Sequence, residues 1–288
     1  SGAANDTASI ELDGGTNKLQ IDKPGSMELP LDRGLDGQPL SQPGRLRIVW
    51  QQGMTFDGGT VRFEGAVVAT NRRPEGETNL YTETLDVSLL RPIHFANLDR
   101  QPDRPDIKRI FCYGGVFMEN RSRDQRGQSS LDRIQLPNLD IDLTTGATAA
   151  GGPGWMTSVR RGAPGLLAPR ANDRPTAQPA SASQADDDQL RYLNVRYEGS
   201  IEGNVLHREM TFYDQVQTVY GPVESWEATL DPDDPEALGP GAVLLSCDRL
   251  SVADMPQPLG GRAMELAASG NVVAEGRTFS ARAPLVTY

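Results

Sequence analysis

Val61-Arg62-Phe63-Glu64-Gly65-Ala66-Val67-Val68-Ala69 decides the fold class. Val61, Phe63, Gly65, Val67 and Ala69 share one phase, and Arg62, Glu64, Ala66 and Val68 share the other. Alternation with period two marks a β-strand with one buried face. Upstream, Leu46, Ile48 and Trp50 alternate with Arg45, Arg47 and Val49, and Asp57-Gly58-Gly59 supplies a turn. Downstream, the polar residues 71–77 lead into a return strand with Leu85, Val87 and Leu89 in phase. Glycine-rich polar turns between two such runs are hairpin signals.

The unit recurs along the chain. Ile110, Cys112, Gly114, Val116 and Met118 repeat it, and Leu139, Ile141 and Leu143 follow as a return strand. A third copy is Val195, Tyr197, Gly199, Ile201, Gly203 and Val205, then Met210, Phe212 and Val216. Val219, Gly221 and Val223 open a fourth, which returns through Leu250 and Val252 beyond an acidic loop. The fifth runs from Leu266 through Gly270 and Val272 to Phe279, Ala281, Ala283 and Val286. A glycine inside a strand marks a bulge, a bend or the close approach of another backbone. At the same place in successive strands, it lets every strand fold over at a shared corner. The expected architecture is therefore all-β, one folded-over sheet with an apolar inside and a polar outside.

Residues 1–45 read as a run of short strands punctuated by Gly14-Gly15 and Pro24-Gly25. Residues 1–145 and 190–288 then form the N-terminal and C-terminal parts of the sheet. Residues 146–189, rich in Gly, Pro, Ala and Ser and ending Asp186-Asp187-Asp188, interrupt the pattern. Such a composition buries too little surface to offset its ordering entropy. It is either a linker between two domains or a long excursion from one continuous sheet; the likeness of the strands on both sides favours the excursion. Trp155-Met156 within it are candidates for local docking. The last strand stops at Tyr288 without a turn or polar tail, so the sheet is expected to end on an exposed edge.

The 288 residues carry 28 Lys and Arg against 39 Asp and Glu, a formal net charge of -11. That balance argues against nucleic acid as a partner, because phosphate binding needs a basic footprint. No apolar run approaches the roughly 20 residues a spanning helix needs. Two cysteines, Cys112 and Cys247, admit a disulfide, but two unpaired thiols on strands is the commoner arrangement at such spacing.

Little points to chemistry. His207 and Glu209 fall on an expected strand and face one side, yet no third metal ligand has a recognisable spacing. His94, between Ile93 and Phe95, reads as structural. A Gly-x-Ser-x-Gly nucleophile elbow and a phosphate-binding glycine loop are both missing from the sequence. Asp231-Pro232-Asp233-Asp234-Pro235-Glu236 lacks the ligand order and central glycine of a calcium loop. No catalytic residue, metal or cofactor is expected, and the chain is read as a non-enzyme.

Ala268-Ser269-Gly270-Asn271-Val272-Val273-Ala274-Glu275-Gly276, followed by Phe279 to Ala283 and Val286-Thr287-Tyr288, resembles the organic-solvent-tolerance (OstA-like) family, which includes the LptA-like periplasmic bridge proteins of lipopolysaccharide transport. Residues 62–67 with 81–87, residues 198–205 and residues 244–252 carry fainter forms of the same pattern. Pro284 and Leu285 stand where the family has an aspartate or its neighbour. The resemblance implies a β-jellyroll with an apolar cleft, a periplasmic or envelope location, and passage of lipopolysaccharide acyl chains. It also implies partnering with other jellyrolls, or with copies of itself, through open sheet edges. Cleft-lining candidates in the first part are Val61, Phe63, Val67, Leu85, Val87 and Val116. In the second part they are Ile201, Val272, Phe279 and Ala281. Two further readings stay open: a structural envelope module that assembles by edge-strand addition, and a carbohydrate-active β-roll enzyme with paired carboxylates.

Overall fold

A computed structural model describes residues 10–33, 39–74, 76–95, 106–124, 127–161, 189–234, 238–256 and 262–287. Their regular elements are seventeen strands of an antiparallel all-β fold. In chain order these are β1 (Ile10–Asp13), β2 (Lys18–Ile21), β3 (Gly25–Arg33), β4 (Pro39–Trp50), β5 (Gly53–Phe56) and β6 (Thr60–Arg73). Next come β7 (Gly76–Leu89), β8 (Ile107–Asp124), β9 (Gly127–Asp142), β10 (Ala147–Gly151), β11 (Gly154–Arg161) and β12 (Leu190–Tyr197). The last are β13 (Ser200–Asn204), β14 (Glu209–Val223), β15 (Val243–Pro256), β16 (Arg262–Gly276) and β17 (Phe279–Thr287).

The chain divides into two compact units. The first takes the described residues up to Met118, with Gln135–Gly151 and Asn204–Leu206. The second takes Glu119–Ile134, Gly152–Gly203 and the described residues from His207 onward. In the first unit β1 pairs with β2, and β2 pairs with β5. The long β6 takes β5 along its first half and β4 along its second, with β7 on its other side. In the second unit β11, β12, β14, β15, β16 and β17 pair in that order.

Long strands fold over at a bulge. In β6 the register shifts between Glu64 and Val67, so Gly65 and Ala66 together oppose Glu83 of β7. Both are left-handed, with φ of 81° and 46°. In β14 Asp214 and Gln215, φ 63° and 48°, oppose Asp248 of β15. In β16 Gly270 and Asn271, φ 74° and 49°, oppose the same Asp248 on one side and Pro284 of β17 on the other. Two residues against one is the count of a β-bulge, which bends its strand and sharpens the twist.

The count has a consequence for burial. On a bulged strand the inward positions lie four apart across the corner, so the period-two phase is kept: Phe63 and Val67, Phe212 and Val216, Ala268 and Val272 are all buried. On the strand that crosses with one residue the phase reverses. Leu85 and Val87 are buried on one side of the corner, Leu80 and Thr82 on the other.

Several sequence expectations change here. Ala147–Gly151 and Gly154–Arg161 are strands, although composition placed all of 146–189 outside the sheet. Residues 154–161 pair one for one with β12, and Trp155-Met156 belong to that ladder. Asp186 to Asp188 lie outside the described residues. The third and fourth sequence copies are not separate: Glu209–Val223 is one strand, and Gly221 sits in its extended part against Ala242 and Leu230 rather than at a corner. His207 lies in the turn between β13 and β14, not on a strand.

Candidate functional site

Each unit builds a corner from backbone geometry that few side chains tolerate. In the first, the Gln51 N–H donates to Gly65 O at 2.7 Å and the Gln52 N–H to Glu64 O at 3.0 Å. The Ala66 N–H points at Glu83 Oε2, 3.5 Å away. Beyond Glu83 stand Gly114 and Gly115, φ 82° and 93°. A Cβ on Gly114 would lie 2.6 Å from Glu83 Cβ, so a glycine is required there. In the second unit, the Glu198 N–H donates to Asp214 O at 2.9 Å and the Gly199 N–H to Tyr213 O at 3.1 Å. Asp248 Oδ2 accepts from Asn271 Nδ2 at 2.9 Å.

Behind each corner is an apolar wall. In the first unit Phe63, Val67, Leu85, Val87 and Val116 are buried, and Val61 is half-buried. Val61 lies directly across from Val87, and Phe63 from Leu85. The wall also holds Trp50, whose ring centroid is 5.3 Å from that of Phe63, and Met54, across from Phe63 on β5. In the second unit Ile201 and Val272 are buried, together with Tyr197, Phe212, Val216, Leu250 and Leu266. Burial pushes the Tyr197 hydroxyl well above the ordinary tyrosine range.

Phe279 and Ala281 differ from the other candidates. Val272, Ala274 and Gly276 of β16 pair with Ala283, Ala281 and Phe279 of β17, so these side chains share the inward face of the wall. Phe279 is nonetheless 47% exposed, with its ring over Gly276, and Ala281 is exposed. On β17, the wall meets solvent. Arg277 in the preceding turn is exposed, and Arg282 is exposed on the other face of the strand with Ser280.

Both cysteines are free and buried in these walls. Burial, reinforced by Asp86, pushes the Cys112 thiol up to about 12, and burial pushes Cys247 up to about 11. Neither has the depressed pKa of a nucleophile.

The second unit also carries an apolar cluster on the opposite face of its strands. Leu131, Val159, Tyr192 and Val219 are at most 3% exposed. Tyr192 pairs with Val159 and lies in phase with Asn194, whereas Val195 and Tyr197 point to the wall. The connection between β14 and β15 crosses this cluster, packing Trp226, Leu230 and Leu238 against it. Arg196 holds it through Asp233 (2.6 Å) and Asp231 (3.3 Å), and Arg133 holds it through Glu227 (2.7 Å). The acidic run is thus a clamp onto an arginine. At its base Arg161, Gln189, Leu190, Val223, Glu224 and Trp226 line a cavity of about 400 Å³, with the Arg161 guanidinium 5.9 Å from the Trp226 ring centroid.

Among the described residues no three His, Cys, Asp or Glu side chains are grouped to hold a metal ion. His207 Nδ1 is 3.8 Å from Glu209 Oε1, and both side chains are largely in solvent. Sequence reasoning did not mark Asp214-Gln215 as a corner because neither residue is a glycine. Nor did it single out Trp50 and Met54 as wall residues, although Trp50 carried the phase that could have found it. No family model, no curated protein and no solved structure matches the chain.

Proposed function

We propose that this protein is a non-catalytic envelope β-jellyroll that takes acyl chains of lipopolysaccharide-type lipid onto the apolar walls of its folded sheet. The observation that carries the reading is the state of β17. Its inward side chains continue the wall of Val272, and they meet solvent where those of the preceding strands are buried. An acyl chain laid there gains about 0.8 kcal/mol per buried CH2. Its charged headgroup stays in water, on the side of Arg277. For a chain of net charge -11, the exposed Arg277 is the favourable sign for an anionic headgroup. The family resemblance on residues 268–288 supports the same ligand class.

Site-specific photocrosslinking tests this. A benzoylphenylalanine at Phe279 is expected to capture lipopolysaccharide, and one at outward-facing Ser280 is not. Equal capture at both positions, or none at either, would remove the reading.

A second reading, docking of another sheet by strand addition, is favoured by Leu285 of β17, 57% exposed, and by Ile10 and Leu12 of β1, 65% and 62% exposed. Sedimentation that stays monomeric at all concentrations, with and without Ala281→Pro, would exclude self-association by this route.

A further inference from the structure

The apolar cluster on the opposite face of the second unit stops short of the ends of its strands. Val159 and Arg161 of β11, Tyr192 and Leu190 of β12, and Val219, Gly221 and Val223 of β14 lie in phase on that face. Val159, Tyr192 and Val219 are at most 3% exposed. Next to Tyr192, Gly221 lets the crossing segment sit directly on the sheet: a Cβ there would lie 2.8 Å from Ala242 Cβ and 2.9 Å from Leu230 Cδ1. One row further along, Arg161 pairs with Leu190, and Leu190 pairs with Val223. Leu190 and Val223 are only half-buried, and this row lines the cavity of about 400 Å³ together with Gln189, Glu224 and Trp226. Sites for small ligands fall between about 300 and 1,000 Å³ and combine an apolar lining with a few polar groups.

Arg161 is set apart from the other arginines that reach the crossing segment. Arg196 is paired with Asp231 and Asp233, and both Arg133 and Arg121 are paired with Glu227. Among the described residues no carboxylate is in ion-pair range of Arg161. Its guanidinium lies over the Trp226 ring instead. A cation over an indole face is held by the ring's quadrupole, and its planar fork of N–H donors stays available to a carboxylate. Glu224 lines the same cavity, is exposed and forms no ion pair with Arg161. Its charge disfavours a doubly negative group beside it and leaves room for a single one.

We propose that this cleft binds a small amphipathic carboxylate, with the carboxylate on Arg161 and a short apolar body on Leu190, Val223 and Trp226. The cleft lies on the opposite face of the sheet from the wall that β17 continues, so it stands or falls independently of acyl binding there.

Octanoate titrated into the whole chain tests this, followed by NMR at the Leu190 and Val223 methyls and the Trp226 indole N–H. Saturable shifts at these groups are expected. Arg161→Gln should weaken octanoate about tenfold, as expected for one lost charge-assisted pair, and leave binding of 1-octanol unchanged. Shifts centred on Val272 and Phe279, or shifts that do not saturate, would overturn the site. So would equal weakening of octanoate and 1-octanol, because Arg161 would then only hold Trp226 in place. Octanoate binding that arises only when residues 163–187 are replaced by a Gly-Ser linker would give the cleft to that segment and overturn the proposal as well.

Discussion

The two corners share a backbone but not a set of side chains. In the first unit, Gly65 sits under Gln52: a Cβ on Gly65 would come within 2.3 Å of Gln52 Cγ. In the second, the equivalent positions are reversed. Gly199 is bare, and Asp214 fills the space, its Oδ2 2.2 Å from where a Gly199 Cβ would be. The contact needs one partner without a side chain, and each unit leaves a different one bare. What is required at a corner is a left-handed pair opposite a single residue, with room for one side chain between neighbours. A glycine is the cheapest way to meet that requirement, since L-residues cost roughly 1–2 kcal/mol in the left-handed region.

The units differ again at the next hairpin. Two residues separate β6 from β7, whereas nineteen, 224–242, separate β14 from β15, and Asp231, Asp233 and Glu227 among them are held by Arg196 and Arg133. Trp226, Leu230 and Leu238 of that segment cover the opposite face, so both faces carry buried residues at Asn194 and Val195 of β12 and at Thr218 to Gly221 of β14. In β14 the four residues Thr218, Val219, Tyr220 and Gly221 are buried in succession, whereas Glu209 to Gln217 of the same strand are not.

The heaviest test of equivalence is at the wall centres. Phe63→Ala and Phe212→Ala should each cost about 3–5 kcal/mol, because each empties a fully buried site. Denaturant unfolding that shows a large cost for one and a small cost for the other would break the symmetry. Next come the glycines. Gly114→Ala should cost about 2–4 kcal/mol from its left-handed φ and the collision of its Cβ with Glu83. Gly115→Ala meets nothing within 4 Å and should show the conformational part alone. The melting difference between the two isolates the collision.

The swapped contact gives a double-mutant cycle. Gly65→Asp should destabilise by about 1–3 kcal/mol, and adding Gln52→Gly should recover most of it by re-creating the second unit's arrangement. Strict additivity would show that the two corners are not interchangeable. A smaller effect, in the stabilising direction, is expected at Gln215→Gly. It relieves a left-handed non-glycine and should add about 0.5–1 kcal/mol.

The smallest effect is a control outside both corners. The Asp142 carboxylate accepts from the Thr144 hydroxyl at 2.6 Å and N–H at 2.8 Å, and from the Thr145 N–H at 3.0 Å. The Thr144 hydroxyl above all, then these N–H groups, lower its pKa to about 2. The folded-state value lies below the unfolded one, so the turn's contribution is complete above the ordinary carboxylate range and is lost as pH falls toward 2. Asp142→Asn should therefore melt lower than the native protein at pH 7 and close the gap on acidification. A gap that is constant with pH would exclude the charge as its cause.

Much of this was legible in the residues. Bulged strands keep their phase through the corner, so residues 61–69 and 266–274 read as unbroken alternation, and their glycines marked the fold-over. Return strands reverse phase at a single residue. Only the half of β7 holding Leu85 and Val87 stood out, and its Leu80 and Thr82 half did not. The corner of β14 carried no glycine to announce it. Trp155-Met156 were hidden by the glycine- and proline-rich sequence around them, although their ladder with β12 is complete.

Local sequence by itself determined that the chain is all-β and which face of each bulged strand turns inward. Those follow from period two and from the φ freedom of glycine, both properties of a few adjacent residues. Only the tertiary structure decided that the two corners carry the same bulge and the same backbone bonds, that Asp231 and Asp233 close on Arg196, and that β17 leaves its apolar face in solvent. Each of these depends on pairing between residues far apart in sequence, and the alternation of a single strand carries no record of its neighbour.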